Sequence, residues 1–248
     1  MILIRQLHKS FGPQRVLRGI DLEIPTGAIF VVVGGSGTGK SCLLKHIIGL
    51  MRPDSGEVWI DDIQISALRG RALNRVRDRF SMLFQGGAMF DSLSVYDNLA
   101  FPLREKTRMG EKAIRNKVHE RLSQVGLSGV EAKLPSELSG GMLKRAALAR
   151  ALVTDPEILL FDEPTTGLDP IRVNTIHHLI LDLHGLLNFT AVVVSHEIPE
   201  VFSLATHIAM LNEGKVAAAG TSQELQASAD PVVQQFIHGR TEGPIQVH

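Results

Sequence analysis

Short uninterrupted apolar runs alternate along this chain with longer stretches in which apolar positions recur every three to four residues. Residues 29–33 read Ile-Phe-Val-Val-Val, and residues 158–161, 191–194 and 208–211 are similar runs; such runs fill strands buried on both faces. Alternating segments at residues 2–7, 19–24 and 56–61, with turn signals at Thr26-Gly27 and Pro53-Asp54-Ser55-Gly56, predict an antiparallel β region beside the first buried strand. Helical spacing occupies residues 41–50, and from 95 to 155 the pattern is helical again, with Ile114, Val118, Leu122 and Val125 on one face. Another helix is predicted around residues 173–187, and short helices beyond Gly220 lead into a polar segment. Strands separated by helices predict an α/β fold with a mostly parallel sheet.

Composition narrows the partners. Lysine and arginine number 26, as do aspartate and glutamate, so there is no global basic field and nucleic acid is not the expected partner. A single cysteine among 248 residues excludes an internal disulfide framework. No apolar stretch approaches the roughly 18 residues of a membrane span, and residues 1–5 are too short and too charged for a secretory leader. The expectation is a soluble intracellular protein that reaches a membrane through a partner.

The strongest chemical signal is Gly34-Gly35-Ser36-Gly37-Thr38-Gly39-Lys40-Ser41, which fits G-x-x-x-x-G-K-[ST] and stands between a buried strand and a helix, as its mechanism requires. A triphosphate gives up its water on binding, so backbone N–H groups must replace that hydration, and glycines let the backbone curl close to it. The following helix offers its free N–H groups and positive end, Lys40 reaches the outer phosphates, and the Ser41 hydroxyl suits Mg2+. Cys42 adjoins this loop and is grouped with the ATP-binding positions; with His46 four residues on, it is expected to be a packed thiol rather than a reactive pair.

A second signal closes the apolar run at 158–161, where Asp162 and Glu163 follow directly. Charge can meet ligand only at the end of such a strand. Asp162 is placed to hold Mg2+, and Glu163, pointing the other way, to polarise the water that attacks the γ-phosphate.

Leu138-Ser139-Gly140-Gly141-Met142, ahead of an alanine-rich helix, resembles the signature motif of ABC ATPases. Ser139 there is also an ordinary helix cap. The resemblance spans roughly residues 1–220 and implies a P-loop NTPase (RecA-like) core with an antiparallel β subdomain and a helical subdomain at about residues 86–155, followed by a helical tail at 221–248. It implies a head-to-tail homodimer in which Ser139, Gly140 and Gly141 of one copy close over the ATP held by the other. It further assigns Phe11 to stacking on adenine, Gln85 to sensing Mg2+ and the attacking water, Asp169 to coupling the two sites, and His196 to contacting the γ-phosphate. His177, His178 and His184 are expected to be solvated on a surface helix. Arg71, Arg75 and Arg79 are expected to share a solvated helical face.

Residues 82–103 are unusually apolar for their place, which suggests a groove able to grip a helix of a membrane subunit. That stretch, Met142, residues 194–201 and the tail segments Gln234-Gln235-Phe236-Ile237 and Glu242-Gly243-Pro244 resemble the phospholipid-transporting Mla branch of the family. The branch implies movement of phospholipid between inner and outer membranes, work at the cytoplasmic face of a bacterial inner membrane, and three partners: an MlaE-like permease, an MlaD-like lipid-binding subunit and an MlaB-like regulatory subunit. The alternatives are a cassette serving another lipophilic solute and a soluble ABC ATPase outside transport.

Overall fold

The computed structural model describes residues 1–245. In chain order the elements are β1 (Ile2–Phe11), β2 (Gln14–Ile24), β3 (Ile29–Val33), α1 (Lys40–Ile47), β4 (Ser55–Ile60), β5 (Ile63–Gln64), α2 (Gly70–Arg77), β6 (Phe80–Leu83), α3 (Val95–Lys106) and α4 (Glu111–Gln124). There follow α5 (Gly140–Leu152), β7 (Ile158–Asp162), α6 (Pro170–Leu187), β8 (Thr190–Ser195), α7 (Val201–Leu204), β9 (His207–Asn212), β10 (Lys215–Thr221), α8 (Ser222–Gln226) and α9 (Pro231–Ile237). Two compact units result, one made of Met1–Asp78 and the chain from Thr190 on, the other of Arg79–Phe189.

The first unit holds an antiparallel sheet in the order β2-β1-β4-β5 and, separately, the run β10-β9-β3-β8. β3 pairs in parallel with β8 and with β9, and β10 turns back antiparallel on β9. All five residues of β3 and all six of β8 are buried, which is why both read as unbroken apolar runs. β1 runs on to Phe11 because a register shift between Ile4 and Leu7 absorbs an irregularity at Gln6, whose φ is 44°.

The second unit pairs β6 and β7 in parallel and packs α3, α4 and α5 together. Ile114, Val118, Leu122 and Val125 are all buried, as the helical spacing predicts. α3 begins at a true cap, Ser94 Oγ accepting from Asp97 N at 3.0 Å. Buried Asn98 then ties down the preceding turn, accepting from Phe90 N at 2.8 Å and donating to the carbonyls of Phe90, Leu93 and Ser94 at 3.0, 3.1 and 3.0 Å. A buried amide is tolerated when all its bonds are made.

Candidate functional site

In the first unit the chain leaves β3 into the glycine loop. Gly34 has φ 151°, and a Cβ there would run into the carbonyl oxygen of Leu211; Gly39 has φ 101°, and a Cβ there would stand 2.7 Å from Leu17 Cδ2. These glycines are required by the chain packed behind the loop as well as by any anion in front of it. Lys40, only 6% exposed, curls back so that Nζ donates to the carbonyl oxygens of Gly34 and Gly35, both at 2.8 Å. Thr38 Oγ1 also donates to Gly35 O, at 2.9 Å. α1 starts at Lys40 with no side-chain cap and no acidic residue in its first turn, so its amide end presents unopposed positive potential. Ser41 is half-buried on that turn.

Val33 of β3 stands opposite Ser195 of β8 in the parallel ladder, so His196, exposed just beyond Ser195, emerges at the loop's end of the sheet. Phe11 is 48% exposed, with Lys9 Nζ 5.7 Å from its ring centroid. It is a surface aromatic, not core. A cavity of about 710 Å³ runs beside the loop, lined by Gln14, Arg15, Val16 and residues 35–38 among others; Phe11 is outside that lining.

In the second unit Leu83 of β6 is paired with Phe161 of β7, which brings Gln85 and the Asp162-Glu163 pair off the same ends of neighbouring strands. Asp162 and Glu163 are half-buried and Gln85 is exposed. Glu163 has φ 50°, an uncommon conformation for a residue with a side chain and one that clusters at functional sites. Thr166 Oγ1 donates to Glu163 Oε2 at 2.9 Å and fixes that carboxylate's direction. Asp169 caps α6, accepting from Arg172 N at 3.1 Å.

Ser139 caps α5, its Oγ accepting from Met142 N at 3.3 Å, and Gly140 and Gly141 follow at the open amide end. The same helix holds the segment after β6. Lys144 Nζ donates to Gln85 O, Arg150 Nη1 donates to Ala88 O at 2.5 Å, and the Arg150 guanidinium lies 4.9 Å from the Phe90 ring centroid. Nothing in their spacing marks Lys144 or Arg150. Asn98 did carry a signal, a polar residue between the apolar Val95 and Leu99 on a buried face. Met82, Phe84, Phe90, Pro102, Ala147 and Arg150 line an apolar groove of about 370 Å³.

Two expectations need correction. His177 is 2% exposed, because it joins Val173, Ile176, Ile180 and Leu183 on the buried stripe of α6; His178 is exposed and His184 is half-buried with its ring edge-on to Phe189. Arg79 shares no helical face with exposed Arg71 and Arg75, since α2 ends at Arg77 and Arg79 pairs with Glu157 at 2.7 Å. Cys42 behaves as packed. Its Sγ is 3.8 Å from His46 Nδ1, but that nitrogen lies 2.8 Å from the Cys42 carbonyl. Burial pushes the thiol pKa up and the imidazole pKa down, opposite to what a thiolate–imidazolium pair needs.

Residues 17–166 match the family model described as ABC transporter. The chain is 44% identical over 246 residues to the intermembrane phospholipid transport system ATP-binding protein MlaF of Haemophilus influenzae, covering 99% of this chain and 93% of that one. It is 45% identical over 244 residues to the probable ribonucleotide transport ATP-binding protein mkl of Mycobacterium leprae, covering 98% and 70%. Among solved structures, the dimeric post-hydrolysis state of the ATP-binding cassette MJ0796 bound to ADP and Pi superposes with a TM-score of 0.81 at 31% identity, covering 90% of this chain and 99% of that one.

Proposed function

Since the chain belongs to the ABC transporter family, whose cassettes bind and hydrolyse ATP, we propose that it is the ATPase subunit that powers phospholipid movement between bacterial membranes through a separate permease. The observation that carries the phospholipid reading is the end-to-end match to MlaF, 93% of that relative's length against 70% of mkl's.

The glycine loop suits a triphosphate, because a Cβ at Gly34 or Gly39 would not fit and the amide end of α1 faces no acidic side chain in its own first turn. Lys40, already turned over the loop, would shift to the outer phosphates. Ser41 of the first unit, and Asp162 and Gln85 of the second, would supply oxygen donors for Mg2+; hydroxyl, carboxylate and amide oxygens suit a hard cation. Bound Mg2+ would neutralise charge on the phosphate oxygens. Glu163, aimed by Thr166, acts as general base on the attacking water, and His196 contacts the γ-phosphate. Phe11 stacks on the base. Ser139, Gly140 and Gly141 would complete the site in a head-to-tail homodimer, with Asp169 coupling the two halves.

The second unit supports coupling to a membrane subunit. Lys144 and Arg150 bind the segment from Gln85 to Ala88 to the helix that Ser139 caps, so that segment and helix move together. The groove beside Phe84 and Phe90, both more than 40% exposed, would seat a permease helix. Among the described residues no helix is long and apolar enough to cross a membrane. An MlaE-like permease, an MlaD-like lipid-binding subunit and an MlaB-like regulator at the bacterial inner membrane are the partners this reading names.

A second reading, ribonucleotide transport, has the mkl match behind it. Purification with native membrane subunits, followed by identification of bound solutes and vesicle transport, separates the two. ATP-dependent phospholipid transfer is expected. Ribonucleotide uptake would replace the lipid reading, and absence of ATP turnover would remove both.

A further inference from the structure

The tail offers an arrangement the phosphate motifs do not explain. α9 is anchored by Val233, which is fully buried, and capped by Asp230, whose carboxylate accepts from Val232 N at 2.7 Å and Val233 N at 3.3 Å. Gln235 on this helix is 5% exposed, unusual for a long polar side chain. Its amide is spent on the segment that doubles back over α9. Oε1 accepts from Ile245 N at 2.6 Å, while Nε2 donates to Ile245 O at 3.0 Å and to Arg240 O at 3.3 Å. Gln235 thus pairs with Ile245 as a neighbouring strand would, taking its donor and its acceptor together.

What the clasp fixes is the wall of a cavity. Phe236 and Ile245 line the cavity of about 710 Å³ whose other walls include residues 35–38 of the glycine loop, residues 13–16 and Arg18, Met210 and the turn at 212–214. That volume lies within the roughly 300–1,000 Å³ of small-molecule sites, and its tail wall adds two apolar side chains to a rim otherwise rich in polar groups. Anionic phosphates have no use for such side chains; the ribose of a nucleotide whose base reaches out to Phe11, beyond the cavity lining, does.

We propose that Gln235 is a positioning residue that holds Ile245 and Phe236 against the nucleoside end of the bound nucleotide, so that the tail contributes to ATP affinity. This rests on the nucleotide reading of the glycine loop. By linkage, nucleotide must in turn steady the tail.

The test compares ATP with inorganic tripolyphosphate, which offers the loop its phosphates but has no nucleoside. Calorimetric titration of Gln235→Ala should show ATP weakened about three- to tenfold, the scale of losing one or two hydrogen bonds, with tripolyphosphate unchanged. In turnover assays KM for ATP should rise with kcat held. Ile245→Ala, which trims the wall and leaves the clasp's backbone bonds available, should act in the same direction. Hydrogen exchange at residues 240–245 in the unaltered chain should slow with ATP and not with tripolyphosphate. Unchanged ATP affinity in both variants, or equal losses for ATP and tripolyphosphate, would overturn the proposal and leave the loop's role intact. Failure of the unaltered chain to bind either compound would remove the loop reading and this inference with it.

Discussion

Val33 and Ser195 face each other across parallel strands, so the glycine loop and His196 leave the first unit's sheet as neighbours. The strands are buried along their whole length and cannot slip in register without exposing apolar residues. The sheet therefore sets where the chain carrying His196 emerges. His196→Ala should keep ATP affinity within about threefold and lower turnover by about 10²-fold or more, the range for loss of a group acting on the transition state. Parallel nucleotide titration and phosphate-release assays check the split.

Glu163 occupies a left-handed backbone conformation and accepts from Thr166. Glu163→Gln preserves shape and removes the proposed base. Turnover should fall by about 10²- to 10⁴-fold while ATP still binds, and dimers should accumulate on size-exclusion chromatography with ATP. Turnover close to that of the unaltered chain would take Glu163 out of its role.

Lys40 bridges the carbonyls of Gly34 and Gly35. Lys40→Ala removes both the proposed phosphate contact and this internal staple, so nucleotide affinity should drop by about tenfold or more, one charge-assisted hydrogen bond amounting to about 1.5–3 kcal/mol. Normal affinity in titration would contradict it. The folded fraction, followed by circular dichroism, should change little.

Cys42 should be slow to alkylate. Burial raises its thiol pKa, so at neutral pH less thiolate is present than in a free thiol, and the thiolate is the reactive form. Iodoacetamide labelling should lag behind a model thiol at pH 7–8 and gain as pH climbs above the ordinary thiol range. The same shift favours the folded state below the unfolded thiol's pKa, a contribution lost as pH rises through the folded value.

Legibility in the sequence follows how self-contained each signal is. The run at residues 29–33 became β3 with the same bounds, because a strand buried on both faces announces itself without reference to neighbours. β10 was not anticipated. Its Lys-Val-Ala-Ala-Ala-Gly-Thr sequence alternates half-buried and exposed positions with small side chains, and its strand state comes from antiparallel pairing with β9. β6, four residues long, is masked because it runs into the apolar stretch from residue 82 that reads as a groove. The glycine loop, Asp162 and Glu163 could be read because their chemistry demands fixed residue types at fixed spacing. The contacts around the candidate site could not: Thr166 on Glu163, Lys144 on Gln85 and Gln235 on Ile245 join ordinary polar residues that only the folded chain brings together. His177 is the instructive miss, since its place on the stripe with Val173, Ile176 and Ile180 was visible, and a polar label outweighed the period.

Arg150 gives the sharpest test of coupling. It lies in α5, beyond the Ser139 cap, yet its guanidinium donates to Ala88 O and covers the Phe90 ring, and burial lowers its pKa. Its neighbours there are Met82, Phe84 and Pro102 of the groove lining. Arg150→Ala removes one charge-assisted bond and one cation–π contact, together about 2–4 kcal/mol of local order. The segment at 85–90 should then exchange amide hydrogens faster, because Lys144 alone would hold it to the helix. Lys144 still holds Gln85, the one proposed site residue in that segment, to α5, so ATP turnover of the isolated chain should stay within about threefold, whereas the change in turnover on adding the proposed membrane subunits should shrink by about tenfold. Undiminished response to those subunits, with exchange at 85–90 raised, would mean that motion passes to the permease by some route other than this arginine.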